Sequence, residues 1–183
     1  PARDQSIKTN FKNRGLDAQS FNASLLFEPW TITKSDGTPY RVFTPFWRRG
    51  CLGGPLPDRP VTTPPISPDQ IVTAPSLNIN LDNLSLLPRT HRWDRDMISY
   101  WTPGEMGAQK RFTEFLEHGL MGYKEGRNFP IQPHTSRLSP HLHFGEISPR
   151  HIFYTVSNTA VHDPRLDQDA DHFLSEMGWR EFS

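Results

Sequence analysis

Three hydroxyls and a guanidinium lie close together in the C-terminal half of the chain, at residues 135–140 (TSRLSP). They precede a helix start that Ser139 and Pro140 predict. Free backbone N–H groups and the positive end of a helix dipole favour a phosphate at such a place. Ordinary N-capping by serine explains the same residues without a ligand. The pattern by itself leaves both interpretations open.

A second polar cluster lies at the end of the chain, in residues 173–182 (FLSEMGWREF). At 100° per residue, Glu176, Trp179 and Arg180 share one helix face. A carboxylate, an indole and a guanidinium can together bind, stack on and neutralise a nucleotide. The simpler interpretation is an i, i+4 pair of Glu176 with Arg180 beside a half-buried tryptophan. The pattern alone favours this simpler interpretation.

The composition excludes some classes of protein. The 183 residues contain 20 basic and 20 acidic side chains, so net charge indicates neither a nucleic acid nor a membrane partner, although a local basic groove stays compatible with it. Cys51 is the single cysteine, which permits no internal disulfide. His141 and His143 lack further ligands in register, so we predict no metal site. There is no secretory segment and no apolar run long enough to span a membrane.

The chain divides into three zones. In residues 1–44, an amphipathic stretch followed by Gly15 and a strand-like run at 23–27 (ASLLF) predict the end of an α/β unit. Nine prolines between residues 45 and 88 predict a connector with little regular structure, partly docked through its aromatic residues. The chain begins at Pro1 and ends inside a helical pattern, so we expect an internal fragment of a longer protein.

Beyond residue 100 the pattern is helical. Residues 102–105 (TPGE) predict a capping box with Pro103 at the first helical position. The spacing of apolar residues predicts that the helix which follows has one apolar face, made of Ala108, Phe112, Phe115, Leu116 and Leu120. Ser148-Pro149 and Asp163-Pro164 predict two further helix starts. The last helix has a continuous apolar face, for which we expect partners outside this chain. That face consists of Leu166, Ala170, Phe173, Leu174 and Met177.

Taken together, several of these segments resemble the DNA photolyase/cryptochrome family. Residues 135–150 (TSRLSPHLHFGEISPR) are similar to the flavin-phosphate turn of the family, and residues 173–183 (FLSEMGWREFS) to its substrate-pocket helix. Residues 39–46 (PYRVFTPF) resemble the exit from its antenna domain. Within the family, the chain looks most like a class I cyclobutane pyrimidine dimer photolyase.

The resemblance implies a mostly α fold in three parts. Residues 1–44 would end a Rossmann-like α/β antenna domain, residues 45–100 would form the interdomain connector, and residues 101–183 would begin an all-helical FAD-binding domain. A second chromophore, folate or deazaflavin, is implied for the antenna domain. The expected FAD-binding residues are Tyr123, Thr135, Ser136, Arg137, Leu138, Ser139 and Phe173.

The resemblance also implies an activity. The protein would be a deoxyribodipyrimidine photo-lyase, in which excited reduced FAD donates an electron to a flipped-out pyrimidine dimer in DNA. Glu176 and Trp179 would be catalytic, Glu176 by bonding the dimer and Trp179 by packing against it. Arg127, Glu176, Trp179 and Arg180 would contact the DNA. The fragment alone is expected to be inactive, and the whole protein to be a monomer, cytoplasmic in bacteria or nuclear or organellar in eukaryotes.

Two alternatives stay open. A cryptochrome photoreceptor would share the fold and the flavin but would signal instead of repairing. A non-catalytic helical nucleic-acid module with a proline-rich tether would need only the basic and aromatic residues. Light-dependent loss of dimers would distinguish a repair enzyme from a cryptochrome. Absence of flavin absorbance in the full-length protein would support the non-catalytic module.

Overall fold

The computed structural model describes residues 2–22, 24–70, 80–86 and 90–182. Nearly all of its regular structure is helical. Ala23 and the connector residues 71–79 and 87–89 lie outside the described residues. The α-helices are α1 (Ala2–Asn13), α2 (Phe43–Pro45), α3 (Arg95–Ile98), α4 (Glu105–His118), α5 (Tyr123–Gly126), α6 (Ser139–His143), α7 (Pro149–His162) and α8 (Asp167–Phe182).

Shorter helical elements join these α-helices. A π-helix follows α2 directly (Phe46–Cys51), and 3-10 turns lie at Pro29–Thr31, Pro68–Gln70, Leu81–Leu84 and Pro164–Leu166. The described residues contain no β-strand, only an isolated antiparallel bridge between Thr33 and Pro39. None of their helices combines the length and the apolar character needed to cross a bilayer.

The strand predicted at residues 23–27 is wrong for the part that the structure describes. Residues 24, 26 and 27 form bends, and the described part of the chain contains no neighbouring strand to take their backbone hydrogen bonds. Two of their backbone N–H groups bond a side chain instead. The carboxylate of Glu181 accepts from the N–H of Leu26 (2.8 Å) and of Phe27 (3.2 Å). These bonds satisfy backbone groups that a strand would have paired in a ladder.

The connector is more regular at its start than its prolines and glycines predict. Residues 43–51 form α2 and the π-helix, in which Phe46, Trp47 and Cys51 are buried. Docking is confirmed for Phe46 and Trp47, whereas Leu84, also predicted to dock, is exposed. Beyond the π-helix, the connector also contacts α7. The Tyr154 hydroxyl donates to the carbonyl oxygen of Pro57, and the Arg59 guanidinium carbon lies 4.9 Å from the Tyr154 ring centroid.

The predicted helix starts are confirmed in two places and displaced in two others. Ser148 caps α7 by accepting from the His151 N–H, and Asp163 caps the following 3-10 turn by accepting from the Arg165 N–H. Helix α4 begins only at Glu105, because Gly104 adopts a φ of 94° that ends any earlier helical path, so Pro103 lies outside the helix. Helix α6 begins at Ser139 itself, with Leu138 at the cap position.

The apolar faces of α4 and α8 form the core, as their periodicity predicts. Ala170, Phe173 and Met177 of α8 are buried, as is Leu166 in the 3-10 turn before it, and Leu174 is partly buried. The expectation that this face lacks partners within the chain is wrong. The ring of Phe173 lies 4.7 Å from that of Phe115, between centroids. At Gly178, a Cβ atom would lie 2.5 Å from the ring of Trp47, so α8 and the π-helix are in direct contact.

Candidate functional site

The described helices surround a cavity of about 770 Å³, which we call the main cavity. Its lining comes from α5, the turn before α6, α6 itself and α8, with one residue from the N-terminal zone. The lining residues are Ser24, Tyr123, Ser136, Leu138, Ser139, Leu142, His143, Phe173, Glu176, Met177 and Arg180. Seven of the predicted site residues therefore lie together around this cavity.

Aromatic rings form one wall of the main cavity. Phe173 meets Tyr123 edge to face, with ring centroids 5.3 Å apart and an interplanar angle of 87°. Phe115 packs behind both rings, 5.7 Å from Tyr123 between centroids. Burial raises the pKa of the Tyr123 hydroxyl, so this wall is neutral over the physiological range. Such a wall can hold a flat ring system by packing.

The turn at residues 135–139 sends its side chains to two different sides. Ser136, Leu138 and Ser139 line the main cavity. Thr135 and Arg137 line a second cavity of about 500 Å³. Arg137 has a φ of 54°, in the left-handed region, where a non-glycine residue is uncommon. The other residues of the second cavity are Arg111, Glu114, Phe115, His118, Ile131, Gln132 and Pro133.

Glu176 forms its ion pair across helices. Its carboxylate pairs with the guanidinium of Arg127, just beyond α5. The guanidinium carbon of Arg127 lies 5.5 Å from the ring centroid of Tyr123, and the hydrogen bond to Glu176 raises the pKa of Arg127. The pair along α8 that the simpler interpretation expected is thus replaced by a pair from α8 to the end of α5. Arg180 donates to Glu181 at 3.2 Å.

Trp179 is directed away from the main cavity, toward α2. Its indole stacks on the ring of Phe43 in α2, with centroids 3.9 Å apart and an interplanar angle of 10°. The residue keeps 46% of its surface exposed. Among the described residues, Arg127, Thr135, Arg137 and Trp179 are the predicted site residues that do not line the main cavity.

Glu181 connects the N-terminal zone to this site. Its side chain is only 2% exposed, and burial raises the pKa of its carboxyl above the ordinary value of 4.5. The bonds from Leu26 and Phe27 hold the segment that contains Ser24 against the end of α8. This contact brings Ser24 to the edge of the main cavity.

Sequence reasoning missed four residues of the lining. His143 follows Ser139 by one helical turn, so its i, i+4 spacing could have identified it. Leu142 and Met177 are apolar residues on helix faces that pattern alone assigns to the core. Ser24 carries no signal at all, because only the long-range contact of Glu181 places it there.

The residues of the main cavity fit FAD. Ser136, Ser139 and His143 supply hydrogen-bond donors for phosphates, and Tyr123 and Phe173 supply a surface for a flat ring. The volume lies within the range of about 300–1,000 Å³ that small-molecule sites occupy.

The chain is similar to several known proteins. The family described as DNA photolyase matches residues 1–65. The deoxyribodipyrimidine photo-lyase of Agrobacterium fabrum is 40% identical over 99% of this chain and 37% of its own length. Cryptochrome-2 of Arabidopsis thaliana is 32% identical over 99% of the chain and 31% of its own length. The crystal structure of a bacterial class III photolyase from Agrobacterium tumefaciens has a TM-score of 0.81 and 39% identity, over 99% of this chain and 36% of that one.

The chain therefore belongs to the DNA photolyase/cryptochrome family. It spans about a third of the length of these relatives. The similar solved structure is titled class III, whereas the sequence resemblance pointed to class I, so the subclass stays a prediction. The domain boundaries at residues 44 and 100, the compartment and the monomeric state also stay predictions.

Proposed function

We propose that the protein containing this chain uses light to split cyclobutane pyrimidine dimers in DNA, with FAD as its cofactor. The observation that carries the proposal is the position of Glu176. Its carboxylate lies at the main cavity, beside the aromatic wall, and Arg127 holds it there. Relatives named deoxyribodipyrimidine photo-lyase, at 40% and 34% identity, support the same activity.

The cofactor would occupy the main cavity. Ser136 and Ser139 would donate hydrogen bonds to its phosphates, and Leu138, Tyr123 and Phe173 would pack against its rings. Thr135 and Arg137 face the second cavity, so any contact they make with the same cofactor would come through their backbone atoms. When bound and reduced, FAD supplies light-driven electron transfer. A folate or deazaflavin antenna would belong to the domain that residues 1–44 end.

Glu176 and Trp179 would act on the dimer in different ways. Glu176 would hydrogen-bond a carbonyl of the flipped-out dimer and stabilise the charge that develops there, which helps most in the reactive state. Trp179 would pack its exposed indole against the dimer, an interaction worth about 1–3 kcal/mol per base. Arg127 and Arg180, on either side of Glu176, would contact the DNA backbone.

A second candidate is a cryptochrome photoreceptor. It rests on the similarity to plant cryptochromes, at 32% identity over 99% of this chain. A photoreceptor needs the flavin but no contact to a lesion. The arrangement of Glu176 beside the aromatic wall favours repair, because a paired carboxylate at the cavity has a role toward a lesion and none that signalling requires.

The deciding experiment changes Glu176→Gln in the flavin-loaded protein. Glutamine has nearly the same shape and keeps one hydrogen bond, so FAD content and dark affinity for damaged DNA should stay within about twofold of wild type. Dimers repaired per absorbed photon should fall by about tenfold or more, because the carboxylate acts where charge develops. The measurements are dimer loss under calibrated illumination and dark binding to an oligonucleotide with one dimer.

Glu125→Gln is the matched control, since Glu125 is an exposed carboxylate of α5 beside the same ion pair. It should leave both measurements unchanged. A wild-type protein that removes no dimers in light contradicts the repair proposal and favours the photoreceptor. Wild-type yield in the Glu176→Gln protein would reduce Glu176 to a structural partner of Arg127.

A further inference from the structure

The stack of Phe43 on Trp179 joins α2, just before the connector, to the proposed lesion-binding helix. The two rings are nearly parallel and 3.9 Å apart between centroids, which is contact over a whole face. Phe182 meets both rings edge-on, 6.0 Å from Phe43 and 5.8 Å from Trp179. The indole is therefore held on one face and at one edge, while 46% of the residue surface stays exposed.

The backbone that carries Phe43 is itself fixed on α8. Helix α2 continues directly into the π-helix, whose Trp47 lies against Gly178 so closely that no Cβ fits there. One residue further, the Arg48 guanidinium donates two hydrogen bonds to the Asp171 carboxylate, at 2.8 and 2.6 Å. Contacts at Asp171 and Gly178, both on the N-terminal side of Trp179 along α8, thus fix the place from which Phe43 reaches it.

We propose that Phe43 is a positioning residue for lesion recognition: it fixes the indole plane of Trp179, so that the free face of the indole is ready for the dimer. The inference rests on the function proposed above. A side chain held in its bound orientation loses less conformational entropy when the ligand arrives, which strengthens binding without any new contact to the ligand. Two parts of the chain would then hold the two lesion-contacting residues, the end of α5 holding Glu176 and the start of α2 holding Trp179.

The test measures dark binding of the flavin-loaded protein to two oligonucleotides of identical sequence, one with a single thymine dimer. Phe43→Leu removes the ring but keeps an apolar side chain. It should weaken binding to the dimer oligonucleotide by about threefold to tenfold, the range expected for one aromatic pair, and leave binding to the undamaged oligonucleotide unchanged. Phe43→Tyr keeps the stack and should bind like wild type.

A double-mutant cycle shows whether Phe43 acts through the indole. In a Trp179→Ala background, Phe43→Leu should cause no further loss, because the ring that it orients is gone. Phe182→Leu is the matched control: it removes an edge contact from the same cluster and should lower the melting temperature while leaving dimer preference within about twofold of wild type. If Phe43→Leu fails to fold, Phe43→Met, which fills a similar volume without a ring, takes its place.

Three results would overturn the inference. These are unchanged dimer affinity in a folded Phe43→Leu or Phe43→Met protein, a full effect of the substitution in the Trp179→Ala background, and an equal loss of dimer preference in Phe182→Leu. A wild-type protein with no preference for the dimer contradicts the proposed function itself, and the inference with it. The wild-type measurement therefore separates the two failures.

Discussion

The carboxylate of Glu181 accepts a hydrogen bond of 2.8 Å from the backbone N–H of Leu26, a residue 155 positions earlier in the chain. The same oxygen accepts from the next N–H, of Phe27. A single buried side chain near the end of α8 thus holds the N-terminal segment at the main cavity. The buried state of this carboxyl has a measurable consequence.

Glu181→Gln should remove part of the pH dependence of stability. Burial raises the folded-state pKa of Glu181 above 4.5, so the folded chain binds this proton more tightly than the unfolded chain does. The contribution is fully present below the unfolded pKa and is lost as pH rises through the folded pKa. The free energy of unfolding of wild type, relative to Glu181→Gln, should therefore fall as pH rises from about 4.5.

Urea denaturation at a series of pH values measures this difference. Glutamine keeps an acceptor for the two N–H groups but loses the acceptor for Arg180, so a constant offset between the curves is expected. For Glu125→Gln, at an exposed position, the free energy of unfolding should change with pH in parallel with that of wild type. If the free energy of unfolding of Glu181→Gln also changed with pH in parallel with that of wild type, the carboxyl of Glu181 would have the same pKa in the folded and unfolded chain.

Gly178→Ala should destabilise the chain. The added Cβ would lie 2.5 Å from the ring of Trp47, which is 1% exposed and has no room to move aside. Overpacking of this kind costs about 1–3 kcal/mol. Denaturant unfolding measures it, and Gly54→Ala, where the nearest atom lies at 3.4 Å, is the control that should change little. Equal stability of the two variants would mean that α8 can shift away from the π-helix at no cost.

Ser136→Ala with Ser139→Ala should weaken retention of FAD by about tenfold or more, because hydrogen bonds to charged groups contribute about 1.5–3 kcal/mol each. Binding to undamaged DNA should stay within about twofold of wild type. Thr135→Val is the matched control, since Thr135 lies in the same turn but faces the second cavity. Flavin content after gel filtration measures retention, and normal content in the double variant would remove the phosphate-binding role from these serines.

Amide exchange should be slow through residues 170–178 of the 183-residue chain. Ala170, Phe173 and Met177 are buried against partners within the chain, so opening this part of α8 requires breaking the core. Helix α1 has no buried residues and is the internal reference. We expect exchange in α8 to be at least about 100-fold slower than in α1. Similar rates in both helices would show that α8 needs partners from outside this chain.

Local periodicity predicted the helices and their buried faces well. The spacing of apolar residues identified the core faces of α4 and α8, and the caps at Ser148 and Asp163 followed from side chains that bond backbone groups two or three residues away. All of these features depend on neighbours within a few turns of helix, which a sequence displays directly.

The partners of the site residues were not predictable in the same way. Glu176 pairs with Arg127 because α5 and α8 pack together, while spacing along one helix suggested Arg180. The run at residues 23–27 has the composition of a strand, yet the N–H groups of residues 26 and 27 bond a carboxylate, since no second strand lies beside them among the residues that the structure describes. Such choices depend on tertiary packing, which overrides local propensity.

The bonds from residues 26 and 27 to Glu181 also bear on recombination between family members. Both donors are backbone N–H groups. The contact between residues 26–27 and Glu181, which we call the junction, therefore depends on the backbone conformation of this segment and not on which side chains occupy the two positions. A chimera that takes residues 1–44 from one relative and the rest from this chain should keep this junction wherever the donated segment follows the same path. N-terminal segments should then be exchangeable between relatives while the wall of the main cavity stays intact, provided that the receiving chain retains Glu181.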